Sequence, residues 1–330
     1  MKRYFFHLLV IGLFLIASVS ACKHEPVQGV NIESKIEIWV GETFILTPTF
    51  VPPNAYNKKV NWESSDINVA IVENGTVTGK AIGRATIKVV TVDGGKTATC
   101  YVNVIQPIEP EMVWVEGGTF MMGCSDDECE VNELPKHEVT ISSFYIGRYE
   151  ITQKEWVAAM GYNPSYSGAS TGDEIPVHCI SWDEIQVYIS KLNAFTGKNY
   201  RLPTEAEWEF AARGGKKSKG YKYSGSNNVD MVAWYSSSYS RFPQPVGRKK
   251  PNELGIYDMS GNVFEFCNDS YGYYSDAPQI DPTGYGNGIN EKVLRGGCWT
   301  SFAVDVRNSY RVHGLQEISW CSGGFRLVHP

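Results

Sequence analysis

One short acidic segment has side chains of the type and spacing that bind a hard metal ion. Asp258 and Glu265 lie seven positions apart in the sequence, on either side of the Gly261-Asn262 turn. Calcium takes about six to eight oxygen ligands, from carboxylates and backbone carbonyls alike. A turn that aims its carbonyl groups inward between two carboxylates fits that requirement. Acidic turns are also common on solvated surfaces, so the pattern alone does not separate a calcium site from an ordinary loop.

Other signatures of enzyme chemistry are missing. The sequence has no Walker phosphate loop, no His-Glu-x-x-His motif and no Cys-x-x-Cys pair. We therefore expect neither a nucleotide site nor a zinc site. His137 and His178 each stand in an extended stretch beside hydrophobic residues, which is typical of structural histidines.

The composition is that of a folded, loop-rich protein. Of its 330 residues, 42% are hydrophobic and 13% are aromatic, which excludes a disordered or collagen-like chain. The length allows about two domains, and the 32 glycines and 19 tyrosines favour short strands with large structured loops. The net charge is −6, and no dense basic cluster is present. We expect no nucleic-acid partner, because phosphate binding requires clustered Lys and Arg.

The first 21 residues are typical of an export signal. A basic start at residues 1–3 precedes a short apolar run at residues 5–16, and small residues then lead to Cys22. The sequence Val19-Ser20-Ala21-Cys22 resembles the lipobox of a bacterial lipoprotein, in which cleavage leaves Cys22 acylated. A secretory signal or a membrane helix are the alternatives, but the run is short for about 30 Å of hydrocarbon. We expect Cys22 to anchor the protein to a lipid membrane of the bacterial cell envelope, at the outer membrane.

The cysteine content agrees with an exported protein. Without Cys22, seven of the eight cysteines remain, in a compartment where disulfides persist. Cys124 and Cys129 have a spacing that could close a small loop, whereas the pairing of the others cannot be derived from the sequence. Those others are Cys100, Cys179, Cys267, Cys298 and Cys321.

Residues 30–105 have the pattern of an all-β unit. Hydrophobic residues alternate with polar ones, and Asn74-Gly75 and residues 93–95 are hairpin turn signals. The order of motifs, including Val60-Asn61-Trp62-Glu63 and Gly75-Thr76-Val77-Thr78-Gly79, resembles the bacterial immunoglobulin-like domain, group 2. The resemblance implies a spacer or adhesive module, and we favour a spacer because no reactive side chains cluster there. Residues 22–29 would be a tether and residues 106–110, with two prolines, a stiff linker.

Residues 111–330 combine short helices with long loops. Thr152, Ser181 and Thr204 are each followed three positions later by a glutamate and then by apolar residues. This is the capping box, in which the hydroxyl and the glutamate satisfy free backbone amides at a helix start. We therefore predict three short helices, each beginning after one of these hydroxyl residues.

Five sequence blocks in this second unit resemble the formylglycine-generating enzymes, also called sulfatase-modifying factors. They lie at residues 112–123, 199–209, 255–266, 294–299 and 324–327. The resemblance implies a loop-rich α+β domain related to C-type lectins. The fold class expected for the whole chain is therefore mixed, with an all-β Ig-like sandwich before this domain. The resemblance also implies a calcium ion held by the side chains of Asp258 and Glu265 and by the carbonyls of Gly261 and Val263.

The catalytic part of the family pattern is not present. Family members oxidise a sulfatase cysteine to formylglycine with copper held by two cysteine thiolates. The positions of those cysteines, two and seven after Trp299, are Ser301 and Val306 here. Copper(I) prefers sulfur ligands, so we do not expect copper. Cys298 is the one candidate catalytic residue, but in an extended segment its side chain would point away from Ser301, unless a hairpin or bulge rotates it back.

Three functions remain open from the sequence. The first is an anchored, non-catalytic protein that binds a protein, peptide or glycan through its loop face. The second is an enzyme, an oxidoreductase with its site rearranged around Cys298 or another centre. The third is a structural component of an envelope complex. A diversified binding region at residues 300–322 is disfavoured, because Gln316, Glu317 and Trp320 cannot arise from asparagine codons mutated only at adenines.

Overall fold

The computed structural model describes residues 25–124, 127–165, 171–238, 241–284 and 290–330. The predicted export signal and the predicted acylation site Cys22 lie outside the described residues. The fold-class prediction is confirmed, since a strand-only unit precedes a loop-rich unit with few helices. In the described part of the chain, no helix is both long and apolar enough to cross a membrane.

The first unit is built from short strands with alternating burial. Its four-stranded sheet has the order β2-β9-β8-β5, a three-stranded sheet has the order β3-β7-β6, and β1 pairs with β4. In the four-stranded sheet, Ile36, Ala85 and Val102 face the core, while their neighbours along each strand face outward. The strands are β1 (Gly29–Asn31), β2 (Lys35–Trp39), β3 (Thr43–Ile45), β4 (Thr49–Val51), β5 (Val60–Ser64), β6 (Ala70–Glu73), β7 (Thr76–Gly79), β8 (Gly83–Thr91) and β9 (Thr97–Ile105).

The described residues of the second unit form three small sheets and four α-helices. The sheet orders are β10-β13-β19, β11-β12-β15 and β17-β16-β14-β18. The strands are β10 (Met112–Val115), β11 (Gly118–Met122), β12 (His137–Ile141), β13 (Phe144–Gly147), β14 (Phe264–Ser270), β15 (Gln279–Ile280), β16 (Glu291–Arg295), β17 (Arg311–Leu315), β18 (Gly323–Gly324) and β19 (Val328–His329). The helices are α1 (Gln153–Met160), α2 (Trp182–Thr196), α3 (Glu205–Ala212) and α4 (Val229–Val232).

The three helices predicted from capping boxes are present. Thr152, Ser181 and Thr204 are the N-caps of α1, α2 and α3, and each side chain accepts a hydrogen bond from the backbone of the glutamate three residues on. Local sequence therefore determines where each helix begins. The ends of α1 and α2 are also locally encoded, by Gly161 and Gly197 in the left-handed conformation.

Four buried arginines connect residues 295–326 to earlier segments. Each guanidinium lies in the core of the second unit, at most 1% exposed, and forms a salt bridge with a buried glutamate. A buried charge without its partner costs several kcal/mol, so these pairs fix how the C-terminal segments pack. The pairs are Arg295 with Glu205 and Glu209, Arg307 with Glu133, Arg311 with Glu205, and Arg326 with Glu265.

Candidate functional site

The predicted metal-binding segment lies at the entrance to β14, the strand between β16 and β18 in the four-stranded sheet of the second unit. Asp258, Gly261 and Asn262 all have left-handed backbone conformations, with φ of 58°, 79° and 64°. A Cβ atom at Gly261 would lie 2.2 Å from the carbonyl oxygen of Trp234. Glycine is therefore required there for the turn to pack against this neighbouring backbone.

Glu265 is neutralised by an arginine. The guanidinium of Arg326 donates from Nε to Oε2 and from Nη2 to Oε1, both at 2.7 Å. The indole Nε1 of Trp208 donates to the same Oε2 at 2.7 Å. Because both oxygens of Glu265 accept hydrogen bonds from a buried cation, this carboxylate is largely compensated within the protein.

Two further carboxylates lie beside this pair. Glu150 accepts hydrogen bonds from Asn262 Nδ2 at 2.6 Å and from the Val263 amide at 3.1 Å. Burial, followed by the charges of Asp258 and Glu265, raises the pKa of Glu150. Asp258 accepts from the Gly247 amide through Oδ2, at 2.7 Å. Its Oδ1 is buried without a hydrogen-bond partner among the described residues, and burial raises the pKa of Asp258 to about 6.

These contacts differ in how well they fit a calcium ion. Asp258 fits, because its unpartnered Oδ1 is a hard ligand that lacks a counter-charge. Glu265 does not fit as a bidentate ligand, because Arg326 holds both of its oxygens. Within the described ranges, no three or more His, Cys, Asp or Glu side chains are arranged to hold a metal ion. The calcium site of Asp258, Gly261, Val263 and Glu265 stays a prediction.

Chelation tests that prediction. If calcium is bound through Asp258, EDTA should lower the Tm of the second unit, and Asp258→Asn should reduce the drop. A ligand at 100 times its Kd adds about 2.7 kcal/mol of stability. Asp281→Asn is the control, since this exposed carboxylate is held by Ser142 instead. A wild-type Tm that does not respond to EDTA, in protein shown to contain bound metal before treatment and none after it, contradicts a stabilising calcium site.

Cys298 and Ser301 lie on the same side of a tight turn. The Ser301 amide donates to the Cys298 carbonyl at 3.0 Å, and the Cys298 amide donates to Ser301 Oγ at 3.0 Å. The Cys298 sulfur is 3.6 Å from that oxygen and 3.1 Å from Thr300 Oγ1. The expectation that Cys298 points away from Ser301 is therefore wrong, because the segment turns and is not extended.

Val306 is part of a closed apolar cluster. It is fully buried in a short 3-10 helix, Ala303–Val306. The other buried members of its cluster are Tyr223, Val232, Ala233 and Tyr235. The two positions that correspond to the copper ligands are thus occupied by a hydroxyl that closes a turn and by a packed aliphatic side chain. Each has a structural contact in place of a metal-binding one.

The loops around this turn form one surface, which we call the loop face: residues 229–238, 241–248 and 298–306. The Ser236 amide donates to the Ser301 carbonyl at 2.9 Å, and Asn262 joins the other two segments by bonding with the amides of Gln244 and Trp299. Several large apolar side chains on the loop face are at least 39% exposed, and sequence patterns did not identify them. They are Met231, Phe242, Phe302 and Val304.

Two other predictions can be located. Cys124 and Cys129, whose spacing could close a small loop, form a disulfide. His137 and His178 are both buried, and their Nδ1 atoms lie 3.0 Å and 3.2 Å from the carbonyls of Pro135 and Pro176. Neither histidine joins the carboxylate cluster or the Cys298 turn through a hydrogen bond among the described residues. His137 has the contact of a structural histidine, whereas the Nε2 atom of His178 is buried without a hydrogen-bond partner among the described residues.

Comparison with known families assigns both units. Residues 26–102 match the bacterial Ig-like domain (group 2), and residues 102–330 match the sulfatase-modifying factor enzyme 1-like domain. The chain belongs to the sulfatase-modifying factor family. The second match covers more than half of the chain, including Ser301, Val306 and the carboxylate cluster.

Three curated relatives indicate how varied this family is. The chain is 34% identical over 253 residues to the chaperone protein LppX of Paenibacillus barcinonensis, covering 62% of this chain and 83% of LppX. It is 33% identical over 250 residues to the serine/threonine-protein kinase Pkn1 of Chlamydia trachomatis, covering 68% of this chain but 39% of that kinase. It is 35% identical over 172 residues to the formylglycine-generating enzyme of Streptomyces coelicolor, covering 47% and 52%.

Two solved structures share the fold. Variable protein 1 of Treponema denticola superposes with a TM-score of 0.61 at 27% identity, covering 73% of this chain and 98% of that one. PvdO from Pseudomonas aeruginosa superposes with a TM-score of 0.59 at 29% identity, covering 67% and 94%. These matches agree with the family assignment.

Proposed function

We propose that this protein is an envelope-anchored binding protein, held to the membrane by acylated Cys22, that does not generate formylglycine. Its sulfatase-modifying-factor domain binds a partner polypeptide through the loop face. The observation that carries the proposal is the environment of Val306, whose side chain is enclosed by aromatic and aliphatic groups at a position where the enzymes need a thiolate. Ser301 supports it, because its hydroxyl is used to close the turn at Cys298.

The exposed apolar side chains support binding of a polypeptide. Phe302 is 69% exposed and Val304 is 39% exposed, next to the position where the enzymes hold copper. Grouped exposed apolar side chains on a soluble surface are typical of protein interaction sites. The similarity to a protein named as a chaperone, 34% identical over 253 residues, supports the same class of function.

A divergent enzyme is the second candidate, and one observation favours it. The Cys298 sulfur lies 3.1 Å from Thr300 Oγ1 and close to Ser301, so a thiol and two hydroxyls are grouped in one turn. Burial of Cys298, which is 2% exposed, counts against this candidate, because substrate would need access to the sulfur. A structural role in an envelope complex would use the same loop face as the binding proposal.

The experiment combines a binding assay with an activity assay on the mature chain. The wild type should suppress aggregation of chemically unfolded insulin B chain at about equimolar ratio. Phe302→Ser combined with Val304→Ser should remove at least about half of that suppression, because exposed apolar area drives such contacts. Val187→Ser is the matched control, since Val187 is exposed on α2, outside the loop face.

The copper-loaded protein, given oxygen and a peptide with the sulfatase Cys-x-Pro-x-Arg motif, should leave the peptide cysteine unchanged by mass spectrometry. Conversion that depends on Cys298 would overturn the proposal and make the protein an oxidase with a displaced site. Equal suppression by the wild type and the loop-face double variant would remove the binding surface from the proposal.

A further inference from the structure

The two units meet through the outward face of the four-stranded sheet of the Ig-like unit. Asn103 on β9 donates to Glu37 Oε2 at 2.9 Å, and Lys191 on α2 donates to the same oxygen at 2.8 Å. The Gln106 amide donates to the Ala158 carbonyl, at 2.8 Å, where the linker leaves the sheet. The first unit is thus joined to the helical side of the second by hydrogen bonds from several elements.

Gly161 allows the close approach of the two units. This residue ends α1 in the left-handed conformation, with φ of 74°. A Cβ atom there would lie 2.2 Å from Asn103 Oδ1. Only glycine fits both the backbone conformation and this contact, so the sequence at the end of α1 is specific for the packed arrangement of the two units.

A cavity of about 500 Å³ lies at this junction, with walls from both units. Its floor is the outward face of the sheet, and its far wall is the region after α1 together with α2. Its charged, amide and aromatic lining includes Lys35, Arg84, Tyr101 and Asn103 from the sheet, and Tyr162 and Lys191 from the second unit. Neither unit alone would form this cavity.

The cavity is basic in a protein whose net charge is −6. Of its charged groups, Lys191 is paired with Glu37 at 2.8 Å. Lys35 and Arg84 form no ion pair with the described residues. They stand on β2 and β8, on either side of β9, and Arg84 is two residues along its strand from the position that faces Lys35. Their backbones are therefore about 12 Å apart across the sheet. Two unpaired cations at this spacing favour a ligand that carries repeated negative charges.

Aromatic and amide groups complete the lining. Tyr101 is 62% exposed and lies directly opposite Lys35 in the sheet. The Arg84 guanidinium lies 5.8 Å from the ring centre of Tyr162. Asn103 is 7% exposed, and its Oδ1 has no hydrogen-bond partner among the described residues. Aromatic faces stack on the apolar faces of sugar rings, while amides and cations bind hydroxyl and acidic groups.

We propose that this junction binds an acidic carbohydrate, a chain of sugar rings that carry carboxylate or sulfate groups. Lys35 and Arg84 bind the acidic groups, and Tyr101 and Tyr162 contact the ring faces. The Ig-like unit is then part of a binding site and not only a spacer. This site is separate from the loop face, so the proposal does not depend on the proposed function.

Calorimetric titration of the mature chain tests the proposal, with oligogalacturonate and chondroitin sulfate as acidic probes and a neutral galactose oligomer as the comparison. One acidic probe should bind, and the neutral oligomer should not. Lys35→Gln combined with Arg84→Gln should weaken binding by about tenfold or more, because two charge-assisted contacts are lost. Tyr162→Leu should weaken binding by about threefold or more through loss of ring contact.

Lys88→Gln is the matched control. Lys88 is on the same strand and the same outward face as Arg84, but it lies outside the cavity and is paired with Glu63 at 3.7 Å. It should change the affinity by less than about twofold, as expected for an exposed charge. Failure of both acidic probes to bind would overturn the proposal. So would an equal loss in Lys88→Gln and in the double variant, which would indicate non-specific attraction.

Discussion

Replacing Arg326 by methionine should lower the free energy of unfolding of the second unit by about 3–5 kcal/mol, because a buried charge would lose its partner. Arg326 bonds Glu265 through two nitrogens and also donates to the carbonyls of Gly147 and Tyr257, at 3.0 Å and 2.9 Å. Without the guanidinium, the three buried carboxylates of Glu150, Asp258 and Glu265 remain with no cation between them. Urea unfolding followed by tryptophan fluorescence gives the measurement.

Arg148→Met is the control for that experiment. Arg148 bonds Glu111 Oε1 through Nη1 at 2.8 Å, but both side chains are exposed, at 38% and 54%. Water can solvate the charge left behind on Glu111, so the loss of Arg148 should cost about 1 kcal/mol. Adding Glu265→Leu to Arg326→Met should recover part of the stability, since the carboxylate that Arg326 bonds directly would then be removed as well. A loss below about 1 kcal/mol in Arg326→Met would contradict this account of the core.

Asp269→Asn should stabilise the protein at high pH and change it little at low pH. Asp269 is 3% exposed, and its Oδ2 has no hydrogen-bond partner in the described structure. Burial, followed by the charge of Glu205, raises its pKa from 3.8 to about 8. The folded protein therefore holds this proton more tightly than the unfolded chain does. The contribution of Asp269 to the free energy of unfolding is therefore complete below pH 4 and is lost as the pH rises through about 8.

The size of that effect follows from the shift. Each pKa unit corresponds to about 1.4 kcal/mol, so a shift of about four units gives at most about 5 kcal/mol between pH 4 and pH 9. The unfolding free energy of Asp269→Asn minus that of the wild type should increase steadily across this range. Asp276→Asn, at an exposed aspartate, controls for the loss of one negative charge. A constant difference between variant and wild type over the same range would show that Asp269 is not held protonated by the fold.

Local sequence signals predicted the parts of the fold that depend on local contacts. The capping boxes at Thr152, Ser181 and Thr204 gave the starts of α1, α2 and α3, because each hydroxyl and its glutamate are three residues apart. The Asn74-Gly75 turn between β6 and β7 is a second example, since positive φ at these residues is a local property. In these places the residues that interact are also close together in the sequence.

The candidate site was predicted only in part, because its partners are far apart in sequence. Asp258 and Glu265 were recognised from their spacing, but Glu150 and Arg326 were not, since they lie 113 and 61 residues from the residues they bond. The turn at Cys298 was also missed. Its geometry depends on the hydrogen bond from the Cys298 amide to Ser301 Oγ. The alternation of side chains along an extended strand predicted the wrong side for the Cys298 sulfur.

The salt bridges of the four buried arginines have a consequence for the order in which the chain folds during synthesis. Each glutamate emerges from the ribosome before its arginine: Glu133, Glu205, Glu209 and Glu265 precede residues 295–326. Until those last guanidinium groups are made, Glu133, Glu205 and Glu265 lack the arginines that pair with them, and Glu209 has only the partly exposed Arg213. These carboxylates then favour water over the core. The strands of the Ig-like unit, by contrast, find their core partners among residues 25–105. The first unit can therefore fold early, whereas the second stays open until the chain is almost finished.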